Sequence, residues 1–139
     1  MYPNAFGHNP DDPSLLTEAM DVARGGHFME VPNNYPSNAW YHYDDDTCDY
    51  ACHATEYMYW GIVTNMNILN HDSVCDAIMD EWETCEKTDF QTTDQRLYEL
   101  LNNPIYKIPQ HAPDGSYCCC GDPDETTTVV LYIGTTFTE

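Results

Sequence analysis

Three features of the chain predict a small, disulfide-stabilised α+β domain of three or four helices with few strands and a C-terminal β-strand. Apolar residues recur at three- and four-residue spacing in four stretches between residues 12 and 103. The final stretch, TTTVVLYIGTTFTE, is instead dominated by β-branched residues. Seven cysteines in 139 residues are a density typical of small extracellular domains, which use disulfides to supplement a limited core. No internal repeat and no Gly/Ser linker divides the chain, so residues 1–139 read as one domain, with 121–139 as a strand segment open to assembly.

The elements follow in order. Asp12 as N-cap and Pro13 at the first helical position open a helix that Gly25 and Gly26 close, and Leu15, Leu16, Ala19, Met20 and Ala23 line its inward face. HFMEVP reads as extended, and NNYPSNAWYHYDDD as a loop dense in turn residues and aromatics. Asp46 or Thr47 caps a second helix through CDYACHATEYMYWGIVTNM, with the acids of Asp44 to Asp46 facing the positive end of its dipole. A third helix runs from Asp72 or Ser73 to about Lys87 with Val74, Ile78, Trp82 and Cys85 on one stripe. A fourth starts at a capping-box pattern from Thr92 to Gln95, carries Leu97, Leu100 and Leu101, and ends at Asn103–Pro104. IYKIPQHAPDGSY is then an extended segment and turn.

Charge narrows the function. Twenty-four acidic against four basic side chains give −20, which excludes nucleic-acid binding by charge and disfavours an anionic membrane surface. No apolar run approaches the roughly 20 residues of a membrane span, so no membrane insertion is expected. Residues 41–90 hold twelve acids and one Lys, about half of the excess. Self-repulsion at that density destabilises the compact state, so bound cations would stabilise it by linkage.

Several constellations could carry chemistry. Asp44, Asp45, Asp46, Asp49 and Glu56 supply the closely spaced oxygens that calcium takes, although Tyr50 occupies the position where an EF-hand loop needs Gly. Asp49, His53 and Glu56 share one helix face, and with Glu81 they form the raw material of a metal-dependent hydrolase. Cys48, Cys52, Cys75, Cys85, Cys118, Cys119 and Cys120 read as a disulfide framework with one cysteine over. Cys48 and Cys52, a helical turn apart, look poorly oriented for each other, and neighbours among 118–120 cannot all share a partner. The rival is a zinc site using Cys48, Cys52 and two of the C-terminal cysteines. Trp40, Tyr41 and Tyr43 on the loop are candidates for a surface that contacts glycans or proteins.

Val129, Val130, Leu131, Tyr132 and Ile133 need a sheet partner, and a chain with few other strands would find it in a second copy. The sequence therefore points to a secreted, disulfide-stabilised and calcium-stabilised structural subunit that self-associates. No motif names a reaction, which ranks the hydrolase and a secreted glycan- or protein-binding module as alternatives.

Overall fold

The computed structural model describes residues 2–115, and the helices found there are α1 (Pro3–Phe6), α2 (Leu15–Ala23), α3 (Tyr50–Asn65), α4 (Asp72–Ile78), α5 (Lys87–Thr93) and α6 (Gln95–Asn102). No strand accompanies them, so the α+β expectation is corrected to a helical fold among the described residues. Extended pairing there is confined to one antiparallel bridge between Tyr41 and Trp82, flanked by His42 N–H donating to Glu81 O (2.8 Å) and Glu83 N–H to Trp40 O (3.1 Å). The strand predicted at 129–133, the cysteines at 118–120 and their proposed zinc or disulfide partners lie outside the described residues.

Local side-chain chemistry moved most of the predicted boundaries. α2 begins at Leu15, not at Pro13, because Ser14 and Thr17 cap each other: Thr17 N–H donates to Ser14 Oγ (3.2 Å), and Ser14 N–H to Thr17 Oγ1 (2.8 Å). It ends where Gly25 and Gly26 predict. Gly25 takes φ +75°, Gly26 N–H donates to Asp21 O and Gly25 N–H to Val22 O, which is a Schellman closure. α3 closes in the same way on Asn67, at φ +58°, with Ile68 N–H donating to Val63 O. Its start is later than predicted: Asp49, not Asp46 or Thr47, accepts from Cys52 N–H (2.9 Å) and caps the helix.

That shift corrects the reading of the first cysteine pair. Cys48 precedes the cap, so it is free to swing back, and Cys48 and Cys52 are disulfide-bonded with Cα atoms 5.3 Å apart. The second disulfide, Cys75–Cys85, corrects the third helix. Ten residues of continuous helix would separate its ends by about 15 Å, whereas these Cα atoms lie 5.6 Å apart. The chain leaves the helix after Ile78 and doubles back, and this turn carries Trp82 into the core. The fourth predicted helix is α6, which starts at Gln95 because Asp94 caps it through Leu97 N–H (3.2 Å), and a helix not predicted, α5, precedes it and ends on the same Asp94.

α3 packs on α2, α5 and α6, and α2 also packs on α1 and α6. Leu16, Met20, Tyr41, Tyr57, Trp82, Phe90, Leu97 and Leu101 are fully buried at the centre, each large side chain stabilising the fold by about 1.5–3 kcal/mol. A relay of rings runs through it: Tyr41–Tyr57 at 5.2 Å, Tyr57–Trp82 at 6.0 Å and Trp82–Phe90 at 6.0 Å between centroids. Gly61 lets α3 approach α6, because a Cβ there would stand 3.0 Å from Leu97 Cγ and 3.2 Å from Leu101 Cδ1.

Polar groups inside this core are satisfied mostly without ion pairs. Asp94 Oδ2 accepts from Tyr57 Oη (2.6 Å) and Trp40 Nε1 (2.9 Å). Asn65 is shared between Gln110 and Asn102, which ties the segment after α6 back to α3. Trp82 Nε1 donates to Thr64 Oγ1 and Thr84 O, both at 3.0 Å.

Candidate functional site

The loop between the bridge and α3 carries most of the predicted ligands, and the structure spreads them out. Asp44, Asp45 and Asp46 are exposed. Asp45 Oδ1 is taken by Thr47 Oγ1 (2.7 Å) and Thr47 N–H (2.8 Å), and these hydrogen bonds lower its pKa. Asp49 is engaged as the α3 cap, and Glu56 is half-buried one helical turn beyond His53. Among the described residues, no three His, Cys, Asp or Glu side chains are grouped as a metal centre would require.

What the fold does assemble is an acidic face that includes residues remote in sequence. The doubling back after α4 brings Asp80 and Glu81 to the Asp44–Asp46 loop. Burial raises the pKa of Glu81, and the neighbouring Asp44, Asp80 and Glu56 add to it. Tyr43 stands among the same carboxylates, its hydroxyl pKa raised by desolvation and then by Glu56, Asp45, Glu81 and Asp44. Beside them is a cleft of about 480 Å³ lined by Asn33, Asn34, His42, Asp44, Asp46 and Asp80, a set of hard oxygen donors with one imidazole. Reasoning along the chain missed Asp80 because the third helix was read as continuous.

No basic side chain offsets this face. Among the described residues the ion pairs are His27–Asp21 and His42–Glu83, and none of Arg24, Lys87, Arg96 and Lys107 pairs with a carboxylate. Arg24 is fully buried at the end of α2, donating to Phe28 O (2.6 Å) and Glu30 O (3.2 Å) between the rings of Phe28 and Tyr35. Lys87 Nζ donates to Asn65 O (2.6 Å). Two of the four cations thus serve backbone carbonyls.

The other predicted residues fall mostly inside. Tyr41 is fully buried and donates to His53 O (2.8 Å), which corrects its assignment to a binding surface. Trp40 and Tyr43 are half-buried, the first anchored on Asp94. His53 is fully buried, with neither ring nitrogen hydrogen-bonded and Tyr43 edge-on at 5.8 Å. Its pKa is lowered to about 4, chiefly by burial and then by the charge of Arg24. Asp49, which caps α3, and the enclosed His53 therefore do not present their side chains at one accessible point with Glu56. Cys48 and Cys52 are consumed by their disulfide, which removes the thiolates of the zinc alternative.

No family model, no curated protein and no solved structure matches this chain. Among the described residues, no helix is long and apolar enough to cross a membrane.

Proposed function

We propose that this chain is an extracellular, non-enzymatic structural subunit, stabilised by disulfides and by calcium on its acidic face, and joined to other copies of itself. The observation that carries the reading is cysteine parity. Cys48–Cys52 and Cys75–Cys85 use four of the seven cysteines, which leaves at least one of Cys118, Cys119 and Cys120 without a partner among these 139 residues. Short-range disulfides support an oxidising compartment, where such a cysteine is available for a link between chains. The uncompensated carboxylates around Asp44–Asp46 and Asp80–Glu81 support the calcium assignment.

Intact-mass measurement without reductant, combined with light scattering in calcium or in a chelator, tests it. The expected result is an oligomer that reduction dissociates and whose thermal midpoint falls on chelation. A 15.9 kDa monomer under every condition overturns the assembly reading. A midpoint indifferent to chelation overturns the calcium assignment.

A further inference from the structure

The Cys75–Cys85 disulfide forms part of the wall of an open cleft of about 480 Å³, which Asp76, Glu83, Glu86 and Asp89 also line. Cys75 is half-buried and Cys85 is 6% exposed, so the bond is open to approach from this side. The other disulfide lacks such a setting: Cys48 is 4% exposed, and among the described residues none of the larger clefts is lined by Cys48 or Cys52. The four acidic residues at Cys75–Cys85 are exposed, and no basic side chain among the described residues lines the cleft with them. Lys87, beside Glu86 in the chain, is drawn away to Asn65 O (2.6 Å). Glu83 has His42 as a neighbour, at 3.7 Å.

We propose that Cys75–Cys85 is a thiol-exchange site gated by charge, which takes small aminothiols and turns away anionic thiols. The attacking species in such exchange is a thiolate. An aminothiol attacks as a zwitterion with no net charge, and the carboxylates of the cleft attract its ammonium group. A neutral thiol attacks carrying one negative charge and a sulfonated thiol carrying two, so the same carboxylates repel them in that order. The thiolate attacks Cys75 Sγ, the more exposed sulfur. A bond forms between the incoming sulfur and Cys75, the Cys75–Cys85 bond breaks, and Cys85 Sγ leaves with the electron pair and takes a proton from water. A second aminothiolate then attacks the aminothiol's sulfur in the mixed disulfide and releases Cys75, which is protonated in turn. Two aminothiols are thereby oxidised to their disulfide as the protein disulfide is reduced to two thiols. Leu69 O lies 3.4 Å from both sulfurs and can accept the S–H of either new thiol. Reduction removes the link that holds the turn carrying Trp82 into the core.

The test follows reduction of the full oxidised chain at low salt by cysteamine, mercaptoethanol and mercaptoethanesulfonate. Acid quenching, alkylation and peptide mass mapping read each disulfide separately. Rates are taken per thiolate and divided by those of the same thiols on hydroxyethyl disulfide, an uncharged reference, which removes differences in intrinsic nucleophilicity. At Cys75–Cys85 the corrected rate is expected to fall about tenfold for each negative charge the thiolate gains. High salt should shrink each step to about twofold, since the Debye length there is about 3 Å. Glu83→Gln with Glu86→Gln removes half of the carboxylates and should shrink each step to about threefold. Both side chains are exposed and Glu86 makes no capping hydrogen bond, and circular dichroism checks that the variant stays folded. Steps that salt and the double variant both shrink support the proposal. Equal corrected rates for the three thiols overturn the charge gate, and steps unchanged in the variant overturn its assignment to this cleft. Reduction of Cys48–Cys52 by cysteamine ahead of Cys75–Cys85 overturns the site itself.

Discussion

Replacing His53 with leucine should flatten the acid limb of the stability curve. The imidazole is fully enclosed, has no hydrogen-bond partner on either nitrogen, and lies close to the buried cation Arg24. Protonation therefore places a second charge in the core with no acceptor for it. Its folded pKa of about 4 lies below the 6.5 of an ordinary histidine, so between those values the unfolded chain binds the proton and the folded one does not. Stability from this group is fully present above about 6.5 and is lost as the pH falls through about 4. At about 1.4 kcal/mol for each tenfold change in proton affinity, the loss amounts to about 3 kcal/mol.

Urea unfolding followed by tryptophan fluorescence at pH 7, 5, 4 and 3 measures it. Wild type should lose about 3 kcal/mol more than His53→Leu over that range, with the variant close to wild type at pH 7, since an unsatisfied polar group is exchanged for an apolar one of similar size. The carboxylates also titrate here, but they are common to both proteins and cancel in the difference. Parallel stability curves would refute the reasoning and mean that His53 finds a partner or reaches solvent.

The remaining expectations concern the supports of the fold. Asp94→Asn puts an amide donor toward two donors, Tyr57 Oη and Trp40 Nε1, and should cost about 2–3 kcal/mol in urea midpoint. Burial raises the Asp94 pKa, so its ionisation lowers stability as the pH climbs from 3.8 through the folded value; the variant lacks this falling slope. Gly61→Val should cost about 3 kcal/mol in thermal unfolding, because its side chain meets Leu97 and Leu101. Cys75→Ser with Cys85→Ser should cost about 3 kcal/mol and expose Trp82 to quenchers, whereas removing Cys48–Cys52, which closes a shorter loop, should cost about 2 kcal/mol.

Helix ends set by local chemistry were legible in the sequence. Gly25–Gly26 and Asn103–Pro104 stop helices where residue types predict, because a positive φ or a missing N–H acts within one turn. Helix starts were less so, since Asp12, Ser14, Asp46, Thr47 and Asp49 are all competent caps and packing chooses among them. The break after Ile78 was illegible for a different reason. Trp82 and Cys85 keep helical spacing from Ile78, yet the disulfide and the two acceptors waiting for Trp82 Nε1 outweigh that periodicity. The same long-range choice put Asp80 and Glu81 beside Asp44, so the acidic face was half visible as a run of aspartates and half hidden in the next helix.

Arg24, His53 and Asp94 share a consequence that ties the core to the surface. Each is a buried ionisable group without an ionic partner: the guanidinium rests on carbonyls, the imidazole stays neutral, and the carboxylate takes a phenol, an indole and a peptide N–H. Two of the four cations, Arg24 and Lys87, donate to backbone carbonyls and are thereby withdrawn from surface compensation. The acidic surface is thus left to counterions, and salt that screens them lowers the mutual repulsion of its carboxylates.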